Sequence, residues 1–272
     1  MTIRTCFASS VEWHNRSVYL VDDPPIQRVH DGTIVQYRLR ESIMTDLFSS
    51  FTLAAAVTTL TGHHELLSDA DAIEFRMDRA TAPLEQLAAY DGDLPIIATN
   101  RATWEGGNAP EPDRLTDLAT AATLEPVAAI DLEYQSIRDG SAKTTVETAA
   151  DADVAVIASI HDFADTPSKP TLITQLRDAA AAGDVGKLAV TATSPMDVLS
   201  LLAATDEVHR NGGRVATMAM GAIGRHSRII APIYGSRIGY APIDSAEATA
   251  PGQFDLSTMR SLIDAIVDPA VD

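Results

Sequence analysis

The chain has 272 residues, 46% hydrophobic and 21% charged, and its 20 Lys+Arg stand against 38 Asp+Glu for a formal net charge of -18. That length supports a full hydrophobic core. The acidity repels nucleic-acid phosphates and anionic membrane surfaces, so binding modules for either are excluded, and the single cysteine, Cys6, excludes an intrachain disulfide or a cysteine metal cluster.

No apolar run is long enough to cross a bilayer, and Arg4, Glu12, Trp13, His14 and Arg16 interrupt any signal-type stretch at the start. A cytoplasmic protein is expected. The basic set comprises 17 Arg and only three Lys, against 26 Asp and 12 Glu. Such a surface stays hydrated when salt screens its charges, which predicts a cytoplasm of molar salt.

In chain order, residues 1–43 carry five Arg and five acidic residues without a clear hydrophobic period. They read as an N-terminal extension, either an appended arm or an upstream start-site artefact, with the catalytic domain spanning 44–272. From there short apolar runs alternate with helix-like stretches. Strands are predicted at Phe51–Val57, Ala72–Arg76, Pro95–Thr99, Ala128–Glu133, Val154–His161, Lys187–Thr191, Val215–Met220 and, less regularly, Arg237–Tyr240. Helices are predicted at Glu111–Leu124, Thr171–Ala182, Pro195–Asn211 and Leu256–Val267, with Thr193 or Ser194 as a cap and Gly183 as a stop. Eight strands in β-then-α order favour a closed (β/α)8 TIM barrel over an open doubly wound sheet. No G-x-G-x-x-G turn follows the first strand to favour a dinucleotide fold.

In that architecture, polar residues at the C-terminal strand ends carry the chemistry. In Ala72-Ile73-Glu74-Phe75-Arg76-Met77-Asp78, alternation turns Glu74, Arg76 and Asp78 to one face and the apolar residues to the other. A salt bridge or a ligand site would both produce this pattern. Arg101 and Glu105 follow the third strand, ahead of Gly106-Gly107. Asp131 and Glu133 end the fourth, where they either orient a catalytic group or are neutralised by Arg76 and Arg101. The fifth strand terminates in His161, a residue suited to general acid–base work. Lys187 opens the sixth, where a desolvated amine can attack a carbonyl, unless it faces solvent at the strand's lower end. Lys143 and Lys169 lie in polar, loop-like contexts. After the seventh strand, glycines lead to Ser227, a candidate helix cap, and Arg228, which suits an anionic group. A His161, Asp162 and Glu133 metal site has no strong ligand spacing to support it.

Together these segments resemble type I 3-dehydroquinate dehydratase, a class I aldolase-like Schiff-base lyase. The matching pieces are Glu74-x-Arg76-x-Asp78, Thr99-x-Arg101 with Glu105-Gly106-Gly107, Asp131-x-Glu133, Ser159-x-His161-Asp162-Phe163, Lys187, Met218-x-Met220-Gly221, Ser227-Arg228, Gly235-Ser236 and Pro251-Gly252-Gln253, in order across residues 74–253. The resemblance implies that Lys187 forms an imine with 3-dehydroquinate and that His161, oriented by Glu105, moves the protons. It further implies that Arg228, Gln253 and Thr249 hold the substrate carboxylate, that Glu74 and Arg76 bind ring hydroxyls, and that Arg101 supports the network. No metal or cofactor is needed, and a homodimer is the expected assembly. Ala219 and Thr249 stand where the family often has serine, and the first strand carries no matching motif. The alternatives are another class I aldolase-like lyase, which would usually recognise a phosphate, and a catalytically silent barrel scaffold.

Overall fold

The computed structural model describes residues 47–62, 67–244, 246 and 252–267. Residues 1–43 and Thr249 therefore lie outside the described residues. Eight parallel strands follow one another around a barrel: β1 (Thr52–Val57), β2 (Ala72–Arg76), β3 (Ile96–Thr99), β4 (Val127–Glu133), β5 (Ala155–Asp162), β6 (Val185–Thr191), β7 (Val215–Met220) and β8 (Ile238–Pro242). The ladder order is β7-β6-β5-β4-β3-β2-β1-β8. At the seam the Arg237 N–H donates to the Val215 carbonyl at 2.7 Å and the Thr217 N–H to Ser236 Oγ at 3.0 Å. The expected TIM barrel is what the chain forms.

Helices α1 (Pro83–Ala88), α2 (Arg114–Ala122), α3 (Tyr134–Arg138), α4 (Lys143–Asp151), α5 (Lys169–Ala182) and α6 (Pro195–Arg210) lie between strands. Two short helices follow β7, α7 (Gly221–Gly224) and α8 (Ser227–Ile230), and α9 (Leu256–Val267) follows β8. Strand and helix ends shift by up to three residues from the sequence reading, and two helix starts differ for local reasons. Glu111 precedes Pro112, which disfavours helical backbone there, so α2 begins at Arg114. Pro170 is tolerated in a first turn, so α5 begins at Lys169. At the start of α6 the Asp197 N–H donates to Ser194 Oγ and the Ser194 N–H returns a bond to the Asp197 carboxylate, a closed capping box before Pro195.

Strand alternation sorts the core into an inner and an outer layer. Ile73, Phe75, Ile130 and Leu132 pack outward against Leu87, Leu118 and Ala121, while Leu188 and Val190 meet Leu172, Leu176 and Leu201. Inside the barrel are mostly small side chains, Ala54, Ala72, Ala129, Ala189 and Ala216, with Met218 and Tyr240 supplying bulk. Gly186 lets α5 approach β6, since a Cβ there would come within 2.4 Å of the Ala180 nitrogen. Among the described residues no helix is long and apolar enough to cross a membrane.

Candidate active site

The strand ends converge on one cleft. Glu74 and Arg76 reach it from β2, Thr99, Arg101 and Glu105 from β3 and its following turn, His161 and Phe163 from β5, Lys187 and Ala189 from β6, Met218, Met220 and Arg228 from β7 and beyond, and Tyr240 and Gln253 from β8 and beyond. Eight of the nine residues to which the resemblance assigned a catalytic or binding role line this cleft, and the ninth, Thr249, falls outside the described residues; Asp131 and Glu133 lie behind the lining.

Lys187 is the third residue of β6, inside the strand rather than at its lower solvent end, and is only 4% exposed. Its Nζ donates to Asp131 Oδ2 at 2.8 Å and lies 4.1 Å from the centroid of the Tyr240 ring, within cation–π range. The amine is thus held against a buried counter-ion rather than simply desolvated. Burial opposes the charge on Asp131, but Arg101 and Lys187 outweigh it and hold the carboxyl well below the usual range. Lys143 and Lys169 are solvated as expected, though on the first positions of α4 and α5 rather than in loops.

His161 Nδ1 is 2.7 Å from Glu105 Oε1, and Phe163 stacks on the imidazole with centroids 6.0 Å apart. Burial, reinforced by Arg101 and Lys187, keeps the imidazole well below its ordinary value and therefore neutral. With Nδ1 donating to Glu105, Nε2 is the nitrogen free to accept a proton. Glu105 is pushed up to about 7 by burial, with Glu133 and Asp131 adding to it and Arg101 opposing. The two groups titrate as a pair. Glu105 rides on a 3-10 turn, Thr103–Glu105, closed by Gly106 at φ +79; a side chain on Gly106 would meet the Phe163 ring at 2.5 Å.

The charges are distributed differently from the sequence reading. Arg76 does not neutralise Asp131 or Glu133; its Nε and Nη2 make a two-pronged bond to Asp78, each arm 2.8 Å, and Asp78 also accepts the Asn108 N–H. Arg101 bridges Asp131 and Glu133. Glu133 is taken up by Arg114 and by the Ala102 N–H, so it is unavailable for a metal with His161 and Asp162. Asp162 instead accepts the N–H groups of Ala164 and Asp165. Ser227 does not cap a helix; its Oγ accepts the Ala219 N–H at 2.8 Å and ties α8 to β7. Ala219 itself points outward into the core between β7 and α6.

Arg228 is 4% exposed, its Nε has no hydrogen-bond partner among the described residues, and burial pulls its guanidinium down to about 10. Such a cation invites an anion in the cleft. Tyr240, which the sequence reading did not single out, is buried with its hydroxyl unpartnered among the described residues, and burial with Asp131 and Glu74 raises it well above its ordinary value. Alternation with Ile238 was the available signal, since both face the barrel interior. Arg114, also missed, had no signal beyond opening a helix.

The model of the type I 3-dehydroquinase family matches residues 50–268. The 3-dehydroquinate dehydratase of Haloarcula marismortui is 52% identical over 79% of this chain and 96% of its own length. That of Haloquadratum walsbyi is 44% identical over 83% of this chain and 96% of its own length. Among solved structures, the 3-dehydroquinate dehydratase of Geobacillus kaustophilus superposes with a TM-score of 0.72 at 27% identity, covering 82% of this chain and 93% of that one. The type I enzyme of Clostridium difficile, solved with covalently modified comenic acid, gives 0.67 at 25% identity, covering 80% and 93%.

Proposed function

The chain belongs to the type I 3-dehydroquinase family, and within that family's reaction we propose that Lys187 is the amine, His161 the proton carrier and Glu105 the carboxylate that orients it. Its activity is the dehydration of 3-dehydroquinate to 3-dehydroshikimate, a carbon–oxygen lyase reaction of the shikimate pathway. The observation that carries the assignment of roles is the meeting of a buried lysine and a neutral Glu105-paired histidine at one cleft that also holds Arg228.

Lys187, as the free amine, attacks the substrate ketone, and loss of water leaves an iminium whose charge takes the place of the ammonium beside Asp131 and over Tyr240. His161 Nε2 removes the proton from the adjacent carbon, and the iminium accepts the electron pair as an enamine. The same histidine returns its proton to the departing hydroxyl, so one water leaves and the conjugated iminium forms. Hydrolysis of that iminium consumes one water, frees the product and restores the amine. Arg228 and Gln253, with Thr249, take the substrate carboxylate, while Glu74 and Arg76 take ring hydroxyls. Arg76 arrives already fixed by Asp78, so its fork is oriented before substrate binds.

The catalytic domain is 44–272, supported by the match from residue 50 onward, and residues 1–43 are an extension. Cytoplasmic localisation is supported by the composition and the lone Cys6. A homodimer would cover the exposed Met196 and Leu199, one turn apart on α6. Salt dependence is supported by 33 acidic against 15 basic residues in 44–272 and by relatives from Haloarcula, Haloquadratum and Halobacterium.

The test of the roles is borohydride reduction in the presence of 3-dehydroquinate followed by peptide mass mapping. A reduced adduct on the Lys187 peptide, with an absorbance rise from the enone product when borohydride is omitted, is expected. An adduct elsewhere, or none, overturns the assignment.

A further inference from the structure

Behind the cleft, outside its lining, two fully buried charges face each other. Glu133 ends β4 and Arg114 opens α2, with side chains 0% and 1% exposed. Glu133 Oε2 accepts from Arg114 Nη1 at 2.6 Å, while Oε1 accepts the Ala102 N–H at 2.9 Å and lies 3.1 Å from Arg101 Nη1. Arg114 is fixed in turn by Glu111 at 2.8 Å and Ser136 Oγ at 3.3 Å, and its carbonyl accepts from Asn100 Nδ2 at 3.0 Å. Ala102 immediately precedes the turn that carries Glu105. Stability is a poor reason to keep such a pair, because replacing a buried ion pair with apolar side chains is often neutral or stabilising.

The geometry points to Glu133 and Arg114 as positioning residues for proton transfer, holding the Ala102–Glu105 turn in register and presenting a fixed negative charge to it. Neither touches substrate. The contacts run from Arg114 through Glu133 to the Ala102 amide, and from Glu105 to His161. In parallel, Lys187, Asp131, Arg101, Glu133 and Arg114 form a buried series of alternating sign, so Arg101 separates the amine's counter-ion from the acid that holds the turn. The charged groups facing Glu105 are Arg101 on its own loop, Asp131 and Glu133 from β4, His161 from β5 and Lys187 from β6; Glu74 and Arg76 of β2, Arg228 and Tyr240 share the cleft. This inference rests on the reading of Glu105 and His161 as the proton-transfer pair.

Two substitutions separate position from charge. Glu133→Ala removes both the acceptor for Ala102 and the charge; kcat should fall on the order of 100-fold, the scale of a misplaced catalytic group, with KM changed less than about threefold. Trapping of the adduct on Lys187 should stay within roughly twofold of wild type, because Asp131 still holds the amine. Glu133→Gln keeps an oxygen for the Ala102 N–H, so kcat should fall only about tenfold. The acid limb of its kcat profile should move to lower pH by about half a unit or more, since Glu105 ionises more readily without that negative charge. If Glu133→Ala fails to fold, the double variant Glu133→Gln with Arg114→Gln leaves no buried charge unpaired, since Glu111 is half exposed, and should show the same limb shift. Loss of stability with kcat and the acid limb at wild-type values overturns the inference, as does trapping that falls in parallel with kcat. Glu105→Gln is the control. Wild-type turnover in that variant sinks the underlying reading, whereas its impairment beside unaffected Glu133 variants sinks this inference alone.

Discussion

On the β2–β5 side of the cleft the charged groups rest on one another: Arg76 on Asp78, Arg101 on Asp131 and Glu133, Arg114 on Glu133, and Glu105 on His161. On the β6–β8 side, among the described residues, Arg228 has no carboxylate partner, its Nε is unsatisfied, and Tyr240 buries a hydroxyl without a partner. Lys187 stands on the sparse side and pairs across to Asp131 on the dense one. Buried polar groups are ordinarily satisfied. Arg228 Nε and the Tyr240 hydroxyl mark where a ligand's own polar groups complete the structure, whereas the ion-paired side, where Arg101 Nη1 lies 3.1 Å from Glu133 without a hydrogen bond among the described residues, moves and places protons with little reorganisation.

The sharpest division is between the amine and the base. Lys187→Ala should abolish both turnover and the borohydride adduct. His161→Ala leaves amine, counter-ion and carboxylate site in place, so the adduct should still form while turnover drops by roughly 10²- to 10⁴-fold, the usual worth of a positioned acid–base group. Steady-state kinetics and mass mapping on the same samples check both. Loss of the adduct in His161→Ala would mean that the two sides cannot be separated.

Arg228 and Arg101 test the comparison through opposite effects on stability. Removing Arg101 leaves Asp131 and Glu133 buried without their shared cation, so Arg101→Leu should destabilise by about 3–5 kcal/mol. Arg228 carries the reverse burden, since holding its guanidinium down at about 10 costs on the order of 3 kcal/mol in the free protein. Arg228→Leu should therefore leave Tm equal or higher while KM for 3-dehydroquinate rises by about 100-fold through loss of a charged hydrogen-bonding partner. Denaturation curves and KM values decide it; a Tm loss in Arg228→Leu matching that of Arg101→Leu would show the two sides to be built alike.

How far this was readable in advance follows from sequence separation. Strand alternation is local, so Glu74 and Arg76 facing the cleft above outward Ile73 and Phe75 could be read from seven residues. Strand-end position likewise marked His161, while Lys187 stood out as one of only three lysines, set in an apolar strand. Glu105 stood out at a strand exit, but its pairing with His161 came only through family resemblance, because that link spans 56 residues. The Lys187–Asp131 pair spans another 56 residues and the Arg114–Glu133 pair 19, and neither distance follows from spacing without the barrel's register. Lys187 therefore reads from sequence as a desolvated or a solvent-facing amine, and Glu133 as an acid that orients a catalytic group or is neutralised by Arg76 and Arg101. Thr249 and residues 1–43 remain expectations from sequence.

The smallest effect concerns the proton that Glu105 and His161 share. Glu105 is raised from 4.5 to about 7 in the folded protein, so its contribution to stability is full below pH 4.5 and is lost as pH rises through 7. His161 is depressed from 6.5, so its contribution is full above pH 6.5 and is lost as pH falls. Between pH 4.5 and 6.5 the two slopes oppose each other: the unfolded chain carries the proton on histidine, while the folded pair carries it on the carboxylate side. Each unbalanced proton corresponds to about 1.4 kcal/mol per pH unit. Measured against wild type in urea titrations at constant high salt, Glu105→Gln should gain roughly 1–2 kcal/mol from pH 5 to 6.5, because only the histidine slope survives. His161→Asn should lose a similar amount over the same range, because only the carboxylate slope survives. Equal pH dependence in wild type and both variants would mean that no proton is exchanged within the pair, and the dense side of the cleft would then be a fixed electrostatic frame rather than the place where the proton is held.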